Sequence, residues 1–403
     1  MSERLKKILL VSAFILAVLG IATGLYFAFF RKAGPAPEQI PPAGEEPSGV
    51  TVLPPSGAGV PVPTAPGAVG LPVSDIAKGG ATKTQQIATA VNSTTISQDG
   101  ASINFYKPED GLFYRSDAAG NITKLSSQKF PNAKNIAWDS SGQQAVIEFP
   151  DGANIVYNFQ TGRQFTLPEH WEDFDFSANG SQIVAKSIGI DPGNRWLVVA
   201  SSDGSTAKSV VPLGTNADKV TVSWSPNDAV IGFSRTGSVQ TGFARQQILP
   251  LGMNNENFKG LIVEGLNFHP KWSPSGEKIL YDISGELSDY KPLLWVVDGS
   301  PSTMGDNRRG LGIRTWADKC AFQSNTTLYC AVPNSMPDGS GLQRELARGS
   351  NETIYKIDLD TYKITTAGFP ENGGEVNNPT VSSDGGMFYY TDSQGALMQM
   401  RLK

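Results

Sequence analysis

Short apolar runs alternate with tight polar turns along most of the chain, from about residue 81 to residue 403. The clearest copies are Trp272-Ser273-Pro274-Ser275-Gly276 and Trp224-Ser225-Pro226-Asn227-Asp228, each followed by an apolar run. Such turns favour hairpins, because Pro presets φ and Gly adopts the left-handed conformation at low steric cost. Continuous runs such as Ile279-Leu280-Tyr281 are typical of strands buried on both faces. The pattern predicts an all-β domain of repeated hairpins.

The repeat period indicates the architecture. Seven copies of the turn follow apolar residues at positions 96, 138, 176, 224, 272, 322 and 381. A period of about 40–50 residues with several strands per unit predicts a β-propeller, with seven blades and six as the alternative. The last unit ends after three strands, with Ala396–Leu402 as the third. We therefore expect the strand-like segment Gln85–Val91 to complete it and close the ring.

The aromatic residue before each turn is expected to have a structural role. A large rigid side chain at this position would fill the gap between adjacent blades. The residues concerned are Trp138, Phe176, Trp224, Trp272 and Phe322.

The two clearest motifs resemble the WD40-like β-propeller (PD40) repeat, which occurs in the TolB propeller and in dipeptidyl-peptidase-type enzymes. The resemblance extends over about Ala81 to Lys403. It implies a propeller fold and, by similarity to TolB-like propellers, a binding partner in the cell envelope. The peptidase relatives carry an α/β-hydrolase domain, but this sequence contains no G-x-S-x-G elbow.

The first 80 residues have a different composition. A basic N-terminus, residues 1–7, precedes the uncharged run Ile8–Phe30, long enough for a helix of about 34 Å that would cross a bilayer. Residues 31–72 contain 11 Pro and 7 Gly, so we expect a disordered linker over 31–80. The positive-inside rule predicts a single-pass signal anchor in the cell membrane, with the propeller, residues 81–403, extracytoplasmic. A cleaved signal peptide is the alternative.

Charge and composition exclude several function classes. Thirty-three Lys and Arg against 38 Asp and Glu give a net charge of -5, which argues against nucleic-acid binding. With two Cys and two His, we expect no metal site and no cofactor. His170 and His269 are predicted to lie in loops or at blade edges, and no catalytic residue is assigned.

Cys320 and Cys330 flank the sixth turn symmetrically, which predicts a disulfide across the hairpin in an exported protein.

Loop lengths predict which face binds. If the strands of each blade are A to D from the inside outward, the A–B turns and most C–D links are short, including Asp298-Gly299-Ser300. The longest B–C connection is about Pro333 to Glu352. Loops on a rigid scaffold usually carry binding residues, and Arg and aromatic residues dominate interfaces. The candidates are Tyr290, Arg308, Arg309, Arg314, Trp316, Arg344 and Arg348.

These features predict a membrane-tethered extracytoplasmic propeller that binds a protein or an envelope polymer without catalysis. The alternative is an envelope hydrolase or lyase acting on glycans or peptides through carboxylates at the channel. The acidic segment Glu169–Asp173 could supply these carboxylates, although a solvated rim is the simpler interpretation.

Overall fold

Seven four-stranded antiparallel sheets make up the fold. The structure, a computed structural model, describes residues 84–242, 244–370 and 374–402. The predicted helix at residues 8–30 and the linker at 31–80 lie outside these residues. No helix within the described ranges is long and apolar enough to span a membrane.

Each sheet is one blade, and in blades 1 to 6 the strands A to D follow chain order. Blade 1 contains β2 (Asn92–Ile96), β3 (Ile103–Lys107), β4 (Leu112–Ser116) and β5 (Ile122–Lys124). Blade 2 contains β6 (Asn135–Trp138), β7 (Gln144–Glu148), β8 (Asn154–Asn158) and β9 (Gln164–Leu167). Blade 3 contains β10 (Trp171–Phe176), β11 (Gln182–Ile188), β12 (Arg195–Ser201) and β13 (Ala207–Pro212). Blade 4 contains β14 (Val220–Val222), β15 (Gly232–Ser234), β16 (Arg245–Leu251) and β17 (Leu261–Glu264).

The remaining three blades complete the ring. Blade 5 contains β18 (Leu266–Trp272), β19 (Lys278–Ser284), β20 (Pro292–Asp298) and β21 (Arg309–Gly310). Blade 6 contains β22 (Cys320–Phe322), β23 (Thr327–Pro333), β24 (Glu352–Asp358) and β25 (Ile364–Gly368). Blade 7 contains β26 (Asn377–Val381), β27 (Met387–Thr391), β28 (Leu397–Arg401) and the first strand of the domain, β1 (Thr84–Ala88). Short 3₁₀ helices lie at Pro192–Asn194, Gly214–Lys219, Glu286–Ser288, Ala317–Lys319 and Arg344–Ala347.

The N-terminal strand closes the propeller. β1 pairs antiparallel with β28, with Gln85 opposite Gln399 and Ala88 opposite Leu397. Inner strands of neighbouring blades contact one another in blades 1 to 4 and in blades 6 and 7, and β2 of blade 1 contacts β26 of blade 7. The prediction of an all-β, seven-bladed propeller is confirmed, as is its completion by a strand upstream of the first repeat.

The repeated turn is held by a recurrent hydrogen-bond pattern. The Ser273 hydroxyl accepts from the backbone N–H of Lys278 at 3.0 Å, and the same bond joins Ser225 to Val230 at 2.9 Å. Gly276 occupies the left-handed region, with φ +73°. The hydroxyl thereby satisfies a backbone donor at the start of strand B, which is why these hairpins form locally.

Aromatic residues before the turns join adjacent blades. The indole Nε1 of Trp138 in blade 2 donates to Ser93 Oγ in blade 1 at 3.0 Å. Trp272 in blade 5 makes the equivalent bond to Ser223 Oγ of blade 4 at 3.0 Å, and its ring stacks on that of Phe233. Phe176 and Trp224 are buried, whereas Phe322 is partly buried against the core of blades 5 and 6.

Cys320 and Cys330 form a disulfide, as predicted. They lie directly opposite each other on β22 and β23, and both are fully buried. The bond therefore joins the inner strand of blade 6 to its neighbour inside the core.

The C–D links of blades 4 and 5 are long, and that of blade 5 is longer than the sequence suggested. Asp298-Gly299-Ser300 is not a complete turn, because the link between β20 and β21 runs from residue 299 to residue 308. Strand D of blade 5, which the sequence predicts near Thr303 to Arg308, is instead the two-residue β21. The C–D link of blade 4 runs from 252 to 260. The B–C connection at 334–351 nevertheless exceeds both in length.

Candidate functional site

The B–C and D–A connections emerge on one side of the propeller, which we call the loop face. The A–B and C–D connections emerge on the other side, the turn face. Tyr290 lies in the B–C connection of blade 5, and Arg344 and Arg348 lie in that of blade 6. Arg314 and Trp316 lie in the D–A connection between β21 and β22. Five of the seven candidate residues are therefore on the loop face of blades 5 and 6.

The long connection at 334–351 is anchored across blade 5. Gly341 N donates to the carbonyl of Tyr290 at 2.8 Å, and Gly339 N donates to the carbonyl of Asp289 at 2.9 Å. Asn267 Nδ2, on the inner strand, donates to the carbonyl of Gly341 at 2.9 Å. These hydrogen bonds anchor the backbone of the connection, so the side chains that it carries are preorganised.

Arg344 is the centre of a mixed aromatic and ionic contact. Its guanidinium lies 4.6 Å from the ring centroid of buried Trp316, within the range of a cation–π interaction. Nη1 also contacts Asp318 Oδ2 at 2.5 Å. Arg348 is paired with Glu345 at 2.8 Å, and Arg314 is exposed.

A histidine–carboxylate pair adjoins this contact. His269 Nδ1 lies 3.0 Å from Asp282 Oδ2, and Asp282 Oδ1 accepts from the backbone N–H of Ala317 at 2.8 Å. The His269 side chain is 56 % exposed, whereas that of Asp282 is 1 % exposed. Ala317 lies between Trp316 and Asp318, so the pair and the Arg344 contact form one continuous site, which we call the blade 5–6 site.

The electrostatics of the pair follow from this burial. The hydrogen bond to Asp282 raises the pKa of His269, and the nearby charge of Asp318 acts in the same direction. Burial raises the pKa of Asp282, although its bonds to His269 and Ala317 oppose that shift. An exposed imidazole oriented by a buried carboxylate is an arrangement that can exchange protons with a ligand.

This pair was not among the site residues predicted from the sequence. His269 was expected in a loop or at a blade edge, but it lies on the inner strand β18, opposite Asp282 on β19. The pair could have been predicted from the sequence, because counting outward from the turn between Trp272 and Ile279 places residues 269 and 282 opposite each other. The same counting predicted the disulfide.

A second ionic group lies buried beside the site. Lys319 Nζ lies 2.6 Å from Glu352 Oε1 and donates to the carbonyl of Val376 at 2.7 Å. The other carboxylate oxygen of Glu352 accepts from Val376 N at 2.9 Å. The side chains of Lys319 and Glu352 are both 2 % exposed, so this group fastens blade 6 to blade 7 rather than facing a ligand.

Arg308 and Arg309 lie apart from the blade 5–6 site. Arg308 donates to the carbonyl of Ile262 at 2.6 Å and lies over the Trp295 ring. Arg309 lies over Tyr362, in the C–D turn of blade 6. Both line a cleft of about 470 Å³ near the turn face. They lie there because the C–D link of blade 5 is long and strand D begins only at Arg309.

The acidic segment does not form an isolated carboxylate pair. Asp173 pairs with Lys186 at 2.7 Å, and Glu172 is exposed. Over residues 84–242, 244–370 and 374–402, no three His, Cys, Asp or Glu side chains gather closely enough to hold a metal ion.

Comparisons with known proteins identify the fold. No protein-family model matches the chain, and no curated protein matches it. An oligogalacturonate lyase solved in complex with manganese is 12% identical, with a TM-score of 0.56, over 80% of this chain and 93% of that one. The oligogalacturonate lyase from Vibrio parahaemolyticus is 11% identical, with a TM-score of 0.55, over 79% and 93%. The β-propeller domain of Myceliophteria thermophila Cps50 (Swd1) is 12% identical, with a TM-score of 0.51, over 80% and 100%. At these identities the likeness establishes a seven-bladed β-propeller and nothing about activity.

Proposed function

We propose that this chain is a membrane-tethered, extracytoplasmic propeller that binds a protein or polymer of the cell envelope without catalysis. The observation that carries the proposal is the blade 5–6 site, where a long, anchored connection presents Arg344 over buried Trp316. Arg and Trp are the residue types that most often dominate binding energy. Anchoring reduces the entropy lost on binding, so a preorganised surface of this kind favours recognition.

Site-specific crosslinking in intact cells tests this proposal. A photoreactive residue replaces exposed Arg348 on the loop face, and a matched variant carries it at exposed Arg163 in a turn of blade 2. We expect one discrete adduct from position 348 and none from position 163. Arg344→Ala should weaken that adduct, because it removes the cation–π contact. Equal labelling from both positions would contradict a loop-face binding site.

The His269–Asp282 pair supports a second candidate, an envelope hydrolase or lyase. In this form the proton-transfer group is an oriented imidazole rather than paired carboxylates. Two propellers of similar fold are oligogalacturonate lyases, which makes oligogalacturonate a reasonable first substrate to test. Cleavage that is abolished in His269→Ala and reduced in Asp282→Asn would favour the enzyme. No cleavage by the unmodified chain of this or other envelope glycans and peptides would favour the binding module.

A further inference from the structure

Exposed apolar side chains are concentrated on the loop face. Among the described residues, nine large hydrophobic side chains are exposed, and two of these, Ile122 and Ile364, lie on outer strands. The other seven belong to loop-face connections or to a strand end there: Ile190, Val239, Leu266, Leu287, Leu342, Leu346 and Phe369. Such clustering on one side indicates a surface that becomes covered.

Three of these residues protrude almost completely. Ile190 is 101%, Val239 94% and Leu287 87% exposed. They occupy the B–C connections of blades 3, 4 and 5, which are consecutive around the ring. The fold therefore places three aliphatic tips on one side of the molecule, one per blade.

Each tip is held by its own connection. Arg195 Nε donates to the carbonyl of Gly189 at 3.0 Å, which supports the backbone beside Ile190. Val239 forms a β-bridge with Gln246. Leu287 is the central residue of the 3₁₀ helix Glu286–Ser288, and the Ser288 hydroxyl donates to the carbonyl of Lys291 at 2.6 Å. The tips are thus presented outward rather than folded back.

The form of this surface favours lipid over protein. Protein interfaces gain most of their energy from aromatic and Arg anchors in desolvated pockets, whereas these tips are single aliphatic side chains. Arg195, Arg235 and Arg245 lie at the ends of the first two connections, where each guanidinium bonds to a carbonyl or carboxylate of the protein, so cationic side chains flank the tips at the level of lipid headgroups. Asp191 and Glu286 adjoin two of the tips, and their negative charges oppose attraction to anionic lipid. We therefore expect insertion to depend on the aliphatic side chains and not on lipid charge.

We propose that Ile190, Val239 and Leu287 insert together into the interfacial layer of a phospholipid bilayer and dock the loop face of blades 3–5 on it. The inference goes beyond the proposed binding function and does not depend on the partner of the blade 5–6 site. It uses the predicted membrane tether only to bring a bilayer within reach.

Fluorescence quenching in vesicles tests the insertion. Ile190→Cys introduces one thiol, which is labelled with an environment-sensitive dye. Cys320 and Cys330 do not react with the dye, because they are buried in a disulfide. The labelled full chain is then reconstituted in phosphatidylcholine vesicles. We expect brominated lipid to quench the dye at position 190. The matched label, placed by Ile122→Cys on an outer strand, should not be quenched. Anionic lipid should change the result little.

Two further variants distinguish the possible outcomes. Adding Val239→Asn or Leu287→Asn should lower the docked-to-undocked ratio by about tenfold each, because each removes one buried aliphatic side chain. Surface substitutions of this kind leave the folded core unchanged. No quenching at position 190 would overturn lipid insertion. A dye that is shielded from water only when envelope protein is added would overturn it as well. Crosslinking at Arg348 would be unaffected by that failure, so the two proposals are tested separately.

Discussion

Closure of the ring by β1 leads to a quantitative prediction. Deleting residues 81–90 removes the outer strand of blade 7 and exposes the edge of β28. Four register positions are lost, from Thr84 opposite Met400 to Ala88 opposite Leu397, together with the side-chain bond between Gln399 and Gln85. At about 1 kcal/mol for each of these five contacts, with about 1–2 kcal/mol more for the apolar contacts of partly buried Ile87, the loss is about 6–7 kcal/mol.

Such a loss is comparable with the total stability of many domains, about 5–15 kcal/mol. Guanidinium unfolding followed by tryptophan fluorescence measures it, since all seven Trp residues lie between positions 138 and 316, away from the deletion. We expect a large fall in the unfolding midpoint and increased aggregation through the exposed edge. The control is deletion of residues 51–60, which removes the same length of chain and no residue of blade 7. Equal midpoints for the two deletions would refute closure by β1.

Three further predictions concern stability. Replacing both Cys320 and Cys330 by Ala should cost about 2.7 kcal/mol, the chain-entropy estimate for a bond between residues ten apart, measured by chemical denaturation. Burial raises the pKa of Asp175 to about 6 from 3.8, so its stabilising contribution is present at low pH and is lost as the pH rises through 6. Relative to Asp175→Asn, the free energy of unfolding of the unmodified chain should fall by up to about 3 kcal/mol between pH 4 and pH 7; parallel pH profiles would contradict this. Lys319→Met leaves buried Glu352 unpaired and should cost about 3–5 kcal/mol at pH 7. The cost should be smaller at pH 5, because burial raises the pKa of Glu352 and the carboxyl can protonate; a cost that does not change with pH would argue against this explanation.

Features that depend on local turn chemistry could be predicted from the sequence. The hairpin signature repeats, so the number of blades and the opposition of Cys320 and Cys330 follow from counting. Strand D of blade 5 could not be placed in this way, because Asp298-Gly299 resembles a tight turn although the link continues to residue 308. Arg308 and Arg309 were consequently grouped with loop-face residues from which the structure separates them.

The blade 5–6 site depends on contacts between distant parts of the chain. Asp282 accepts from Ala317, 35 residues further on, and Asn267 holds the carbonyl of Gly341, 74 residues away. No periodicity encodes such contacts. The position of Asn267 also depends on a bulge between Leu266 and His269, where Asn267 adopts φ 59°. Asn tolerates this conformation better than most residues, but the sequence alone does not show where it occurs.

The same bulge recurs and helps to explain why the candidate chemistry lies on the loop face. The inner strands of blades 1, 3, 5 and 7 each shift register near that face, at Ser93, Asp173, Asn267 and Asn378, all with positive φ. A bulge re-aims side chains at the end of a strand. On the turn face, by contrast, the polar residues of the repeat mostly bond within their own turns, as Asp384 does with Ser382 and Gly386. The polar residues that build the hairpins therefore have structural partners, whereas the exposed imidazole of His269, near the opposite end of the inner strand of blade 5, can contact a ligand.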